Sequence, residues 1–464
     1  MNGNLTNFNS TTDTLTGGTY NVTGTLQFNG ANIVTNAADI TLTGTSSRII
    51  NQSSGNGLAN LATNASTGKF TVAGGRVLTT SGAFTNNGSL TTTGSGSEFT
   101  TGGPASFTNN GTLTTTGGDS EVATGASGSF SNNGTLTVGS ASTFKTGGSL
   151  TNLSGTTLTG GTYNVTGTLQ YNSAMDVATN AANIALTGAT AKIIDSNSHN
   201  ALAGLATNAA AGKFTVSGGQ ALTDSAAAFS NAGSLSVKGG SALTLSSATA
   251  TYTQTGGTTT VDGTLTAKGG MTFSGGSIFG NGGTLNAGTN TLTNRATFNV
   301  GDTAMTAGKE TITGAYTQSS TGVLNIDIGG TTAGTQFDQL TISSAASLNG
   351  TLNLDLINSF VPTVGETFDI LNAGSVAGTF ATVNGTSINS TEAFTVLYNM
   401  PTKTVTLDVV SVPGASAFLG RGKDGPASAT PEPSTLFLLG SGLLLTGHYA
   451  RRREAGKRSG RHGN

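Results

Sequence analysis

The sequence predicts an all-β protein, a right-handed parallel β-helix whose short strands stack coil upon coil into sheets along one axis. Three observations carry that expectation. A strand-turn-strand unit recurs at a fixed spacing, a longer block occurs twice, and the composition is dominated by residues suited to tight corners. A single hydrophobic helix near the C-terminus is expected in addition.

The short unit comes first. Phe84-Thr85-Asn86-Asn87-Gly88-Ser89-Leu90 recurs as Phe107-Thr108-Asn109-Asn110-Gly111-Thr112-Leu113 and as Phe130-Ser131-Asn132-Asn133-Gly134-Thr135-Leu136, at the same interval both times. An apolar residue, a polar Asn-Asn-Gly turn and an alternating Thr-Leu-Thr run read as strand, turn, strand. Alternation puts Val and Leu on one face and Thr on the other. A unit of this length cannot bury its apolar face alone, so neighbouring units must bury it jointly.

The longer block follows. Gly18-Thr19-Tyr20-Asn21-Val22-Thr23-Gly24-Thr25-Leu26-Gln27 returns as Gly161-Thr162-Tyr163-Asn164-Val165-Thr166-Gly167-Thr168-Leu169-Gln170, an offset of 143 that becomes 144 at Phe70 against Phe214 and 145 at Phe84 against Phe229. Single-residue slips belong in turns, because a slip inside a strand reverses every later side chain. Residues 15–95 and 158–240 are therefore a duplicated set of coils. Within them, Gly57–Ala65 and its echo Ala201–Ala209 carry Leu three residues apart among Ala, which fits either a short helical turn or a loop.

Composition completes the case. Of 464 residues, 71 are Gly and 86 are Thr, only 35% are hydrophobic and 9% are charged. Gly and Asn supply the positive φ and side-chain-closed turns that corners demand, and a narrow interior needs few large apolar residues. About twenty coils over residues 1–410, at the inter-strand spacing of about 4.8 Å, make a rod on the order of 90–100 Å long. Zero Cys excludes disulfides and thiolate metal sites, three scattered His form no cluster, and a net charge of −2 offers no field for nucleic acid.

From about residue 316 the strands lengthen and become more aliphatic, as in Gly322–Ile328, Leu348–Leu354 and Glu366–Leu371. This texture resembles the C-terminal part of autotransporter passenger domains, and the resemblance implies that residues 316–410 complete and cap the β-helix of residues 1–315. A cap is also a physical need, since an open last coil exposes unpaired strand edges. No membrane β-barrel follows; residues 411–430 read as a linker.

The tail is different in kind. Pro431-Glu432-Pro433-Ser434 opens it, an apolar segment 436–450 follows, and Arg451-Arg452-Arg453 closes that segment. Residues 431–464 closely resemble the PEP-CTERM sorting signal of Gram-negative bacteria. The resemblance implies export through the inner membrane, transient anchoring by the tail, processing by an exosortase-type enzyme near the Pro-Glu-Pro motif, and delivery to the cell surface or extracellular matrix. As a transmembrane helix, 436–450 spans about 22 Å against a hydrocarbon core of about 30 Å, and the arginines place its far end in the cytoplasm. A single-pass anchor without processing is the alternative. The charge divides accordingly, −7 over residues 1–420 and +5 over residues 421–464. Export also calls for a leader, which Met1-Asn2-Gly3-Asn4 does not supply, so a signal peptide and N-terminal cap are expected upstream.

Candidate chemistry is sparse. A polysaccharide lyase or glycoside hydrolase needs two or more carboxylates converging on one sheet. Asp119 and Glu121 share a strand face but read as an exposed acidic pair. Lys69 and Lys213 occupy equivalent positions in the duplicated blocks and so read as a solvated face. His199 reads as a loop residue, and Asp302 with Lys309 and Glu310 as a surface turn. Gly275-Gly276 lacks the Lys-Ser/Thr of a phosphate loop. The Gly-Asn-Gly-Gly of 280–283 is not repeated as a calcium-binding array would require, and the variable coil length does not suit an ice-binding Thr array. The expected function is a non-enzymatic, exported surface or matrix protein, adhesin-like, with no cofactor and no nucleic-acid partner. Its partners are an exosortase-type enzyme, the inner membrane during sorting, and exopolysaccharide or other surface proteins. The alternative is a β-helix enzyme acting on polysaccharide.

Overall fold

A computed structural model describes residues 4–412 apart from Ala126, Asp302 and Ala304. These residues form a β-solenoid with no helix among them. In its most regular stretch one coil carries the strands Ser89–Thr93, Glu98–Thr101 and Phe107–Asn109, and the next repeats them as Thr112–Thr116, Glu121–Thr124 and Phe130–Asn132. The two coils pair strand on strand, parallel and in register, with Leu90 on Leu113, Phe99 on Val122 and Phe107 on Phe130. The first of these columns begins at Thr14–Val22 and ends at Thr382–Asn384. The strand Lys309–Gln318 straddles the change in sequence texture, and the column continues through Val323–Ile328 on Thr351–Leu356 without a break.

Register makes the core. Because these short strands alternate in and out, identical spacing puts identical residues above one another. Phe84, Phe107 and Phe130 stack edge to face at 5.2 and 5.4 Å between ring centres, within the range aromatic pairs prefer. All three are buried, as are Leu90, Leu113 and Leu136 in the adjoining column. Each such side chain contributes about 1.5–3 kcal/mol on leaving water.

The interior is more polar than simple alternation predicts. Thr92 and Thr115 point inward beside the leucines, and Ser97 and Ser120 lie buried at the following corner. Three of these hydroxyls turn back on the chain, Ser97 donating to Thr93 O at 2.7 Å, Thr115 to Ser120 O at 3.1 Å and Ser120 to Thr116 O, whereas Thr92 Oγ1 is buried without a partner. A buried hydroxyl is tolerated when it is bonded, so inward Thr and Ser satisfy corner carbonyls while filling little volume. A low apolar fraction and a closed core are thereby compatible.

The Asn-Asn-Gly units also differ from the expected polar turn. The first Asn is buried and linked to its counterparts. Asn36 donates to Asn64 at 2.9 Å, and the chain continues from Asn64 to Asn86, Asn86 to Asn109 and Asn109 to Asn132, each at 2.8 Å. Only the second Asn is at the surface, where Asn110 donates to Asn87 and Asn133 to Asn110. The glycine that follows is required by contact: a Cβ on Gly111 would strike the carbonyl oxygen of Gly88 one coil below.

The buried asparagines that bond across neighbouring coils are 28, 22, 23 and 23 residues apart. Coils of that size are fewer over the same length than the expected number of about twenty, and the stack is correspondingly shorter than expected at about 4.8 Å per coil. The long coils hold the Leu58 and Leu202 segments. These are successive tight turns, with Ala59 N bonded to Asn56 O and Leu61 N to Leu58 O, and they bury Leu58 and Leu61 without forming a helix. In each duplicated block a register shift falls between Thr16 and Thr19 or between Thr159 and Thr162. Gly17-Gly18 and Gly160-Gly161 absorb it at positive φ, as a glycine bulge does.

The two ends differ from the body. A short strand, Phe8–Asn9, runs antiparallel to Thr14 and Leu15 at the start. At the finish Glu392–Asn399 and Thr404–Ser411 form an antiparallel hairpin, and the latter also pairs antiparallel with Thr367–Asn372.

Candidate functional site

The column Val77–Thr80, Glu98–Thr101, Glu121–Thr124, Thr143–Lys145, Thr168–Gln170 and Lys192–Ile194 is a six-stranded parallel sheet, and it carries an outward acidic pair set by register. Glu98 lies directly beneath Glu121, with Thr143 above them. Burial pushes the Glu121 carboxyl upward, its neighbour Glu98 pushes it further, and Lys145 on the next coil offsets part of this. Thr100 Oγ1 donates to Glu98. Asp119, paired with Glu121 by sequence alternation, sits instead in the exposed turn before the strand at φ 48°. The acidic neighbour of Glu121 is therefore one coil away. The signal for it is in the numbering, since Glu98 and Glu121 are as far apart in sequence as Phe84 and Phe107. Beside this pair, Lys145, Gln170, Asn172 and Ser196 line an open depression of about 320 Å³. Two carboxylates and an amine on one face supply charge for a ligand.

A second acidic group has two buried members, Asp327 and Asp338, and an exposed one, Asp355. Asp327 stacks in register on Asp355, and Asp338 is 1% exposed beside them. Asp338 accepts the N–H groups of Gly308 at 2.7 Å and Asp327 at 2.8 Å. Burial nevertheless raises its carboxyl to about 8, the backbone bonds and Asp327 being smaller influences. Asp327 rises to about 6, mainly by burial and then by the charge of Asp355. The cavity they line with Asn299, Val300, Met305 and Asn325 is about 40 Å³. That is room for a water molecule and far too small for a sugar ring, so this cluster braces the turn before Lys309 against the column.

The remaining sequence candidates separate. Glu310 is fully buried and accepts the Gly283 N–H at 3.2 Å, so it does not belong to a surface turn; alternation inward from the exposed Lys309 explains it. Asp302 lies outside the described residues. Lys69 and Lys213 are exposed on equivalent strands, opposite Asp39 in the first block and Asn183 in the second. The His199 side chain is 75% exposed, 3.4 Å from the buried Asp195, whose Oδ1 accepts the N–H groups of Asn197 and His199 to close the loop. Among the described residues no group of three or more His, Cys, Asp or Glu is placed to hold a metal ion.

The sorting residues Pro431–Ser434, the segment 436–450 and Arg451–Arg453 lie outside the described residues; among those described, no helix is long and apolar enough to cross a membrane. Their identity rests on sequence comparison. Residues 429–453 match the PEP-CTERM protein-sorting motif. The chain thus carries a signal for export and membrane-anchored sorting, of the kind processed by an exosortase. No curated protein matches the chain.

Proposed function

We propose that this protein is a non-enzymatic structural component of the cell surface or extracellular matrix, adhesin-like, that acts by presenting a stacked Thr- and Asn-rich surface to exopolysaccharide or to other surface proteins. The observation that carries the reading is the conjunction of a β-solenoid with a sorting tail. Threonine and asparagine at a repeat of about 4.8 Å offer a regular row of neutral donors and acceptors. Many weak neutral contacts in a row gain affinity through multivalency rather than through one deep pocket.

The sorting half is tested by expressing the chain with and without residues 429–464 in a host that has its exosortase and in one that lacks it. With tail and enzyme, the solenoid reaches the surface or matrix; without the enzyme, the full-length chain remains in the inner membrane. Identical fractionation in all four cases removes the sorting reading. The binding half is tested by retention of the chain on the host's own exopolysaccharide. Release at moderate salt would point to the charged groups instead of the neutral rows.

A second reading has one specific observation behind it, the register-matched Glu98 and Glu121 with Lys145 adjacent. If the chain cleaves polysaccharide, new reducing ends or unsaturated ends appear on incubation and disappear in Glu121→Gln.

A further inference from the structure

The duplicated blocks differ in charge at one matching place. In the first, Arg48, Ile50, Ser54, Asn56 and Arg76 line an open depression of about 340 Å³. It lies where a strand column is interrupted. Arg48–Ile50 pairs with Thr25–Gln27 in a two-stranded sheet, and the six-stranded sheet begins only at Val77–Thr80, so the tight turns of residues 51–62 intervene. In the second block the residues equivalent to Arg48, Asn56 and Arg76, 144 further on, are Lys192, Asn200 and Gln220. These line a depression of about 280 Å³, again where one sheet ends, at Lys192–Ile194, and another takes up Ala221–Asp224.

The two depressions are balanced differently. Gln220 is buried and donates to Ala191 O at 3.0 Å, leaving over an acceptor, its Oε1. Arg76 in the same place leaves over a charged donor, its Nε, which is buried with no hydrogen-bond partner. The loop beside Gln220 is closed by the carboxylate of Asp195, which accepts the N–H groups of Asn197 and His199. In the first block the neutral Asn51 does this for Ser53 and Gly55, at 3.0 and 2.7 Å. Residues 40–97 carry Arg48, Lys69 and Arg76 and no acid. Among the described residues the ion pairs are Lys238 with Asp262 and His199 with Asp195, so neither arginine has a counter-charge. Glu98, which stands on Val77 in the next coil, takes the Thr100 hydroxyl instead. Burial therefore acts on the Arg76 guanidinium uncompensated and pushes it below its usual range. A half-buried guanidinium with unused donors is costly until an anion completes it, and its planar fork matches an oxyanion. At the rim, Ser54 and Asn56 are exposed, and Asn56 spends only its Oδ1, on the Leu58 N–H at 3.0 Å.

We propose that the depression between Arg48 and Arg76 is an oxyanion site that holds the carboxylate or sulfate group of an acidic sugar residue, with Ser54 and Asn56 meeting its hydroxyls, and that its counterpart in the second block is not. The two arginines supply the charge, and the neutral rim supplies donors and acceptors for the ring. A volume of about 340 Å³ is at the small end of ligand sites; it takes one sugar ring and leaves the neighbouring rings of a polymer outside. The source of the sugar rests on the exopolysaccharide reading above, which this site narrows to an acidic polymer.

The test is calorimetric titration of the full chain with trigalacturonate, with a sulfated trisaccharide and with the neutral methyl ester of the first. At least one of the two acids should bind, once per chain and more weakly as salt rises, and which of them binds tighter identifies the acidic group; the ester should not bind. Arg76→Gln installs the residue that the second block already carries, so the fold should tolerate it. It and Arg48→Gln should each weaken binding about tenfold or more, the worth of a charge-assisted hydrogen bond, while Lys192→Gln changes nothing. Arg76→Lys keeps the charge without the fork and should restore only part of the affinity. Melting temperatures close to that of the unaltered chain verify that the variants are folded. Equal binding of the ester, or undiminished binding by both glutamine variants, overturns the site. Inorganic phosphate or sulfate binding more tightly than either acidic trisaccharide overturns the sugar assignment. Retention of the host's exopolysaccharide to the same extent by the unaltered chain and both variants counts against this site and leaves the surface reading standing. Acidic trisaccharides bound, with no exopolysaccharide retained by any form, removes the surface reading alone.

Discussion

Replacing Asn109 by Ala tests how much of the stack's stability lies in its buried amides. Asn109 accepts from Asn86 Nδ2 at 2.8 Å, donates to Asn132 Oδ1 at 2.8 Å and donates to Thr135 O at 3.1 Å. It is 0% exposed, so no water replaces those partners. Three net hydrogen bonds at about 0.5–1.5 kcal/mol each, with some unsatisfied groups left behind, give a loss of about 3–5 kcal/mol. The neighbouring Asn110 makes the matching surface bonds to Asn87 and Asn133. There water replaces what is lost, and Asn110→Ala should cost under about 1 kcal/mol. Repeat stacks need not unfold in one step, so the assay is native-state hydrogen exchange at Thr112–Thr116 and Thr135–Val138. Asn109→Ala should speed opening there by about a hundredfold or more, and Asn110→Ala by less than about fivefold. Equal effects of the two substitutions would refute the view that the inner amides hold neighbouring coils together.

Other expectations follow from the same geometry. Gly111→Ala drives a Cβ into the Gly88 carbonyl and should lower the melting temperature sharply, whereas Gly118, with open space around it, should tolerate Asn with little change. The buried acids set a pH dependence. Asp338 and Asp327 titrate near 8 and 6 when folded and lower when unfolded, so the native state holds the extra protons. Their contribution is complete below about pH 4 and is lost as pH rises through 6 and then 8, by up to about 1.4 kcal/mol per group per pH unit. Melting temperature followed across that range should fall, and Asp338→Asn should flatten the upper part of the curve. Removing Arg451–Arg453 should impair retention of the chain in the membrane during sorting, read by fractionation; unchanged fractionation counts against the basic anchor.

Much of the solenoid was legible because its most regular coils share one length. Phe84, Phe107 and Phe130 fall at equal intervals and therefore stack, and Gly111 and Gly134 follow them. What the period could not convey was which polar residues turn inward. Asn86 and Asn87 look alike in sequence, yet one is interior and the other solvated, because the strand ends between them. Glu310 was misplaced for a related reason: a charged residue beside Lys309 suggests a surface turn, while strand alternation buries every second residue whatever its charge. Asp327 and Asp355 meet across a coil longer than those of the regular stretch. The repeat that aligns Glu98 with Glu121 does not extend to them, so nothing in the sequence brought them together. The sorting tail lies at the opposite extreme, readable from residue order alone.

The inner asparagines also have a direction. Each Nδ2 donates toward the C-terminal neighbour and at the same time to a backbone carbonyl of that coil, as Asn86 does to Thr112 O at 2.9 Å, which fixes the amide against flipping. The surface asparagines point the other way, Asn133 donating back to Asn110. Backbone bonds between coils run in both senses, from Thr112 N down to Gly88 O and from Gly94 N up to Thr116 O, and so largely cancel. The buried file does not cancel. From Asn36 to Asn132 it is a column of aligned dipoles, each polarising the next, with its positive end toward the later coils. The stack therefore has an electrical axis as well as a geometric one, and a coil inserted with its amide reversed would set like charges face to face.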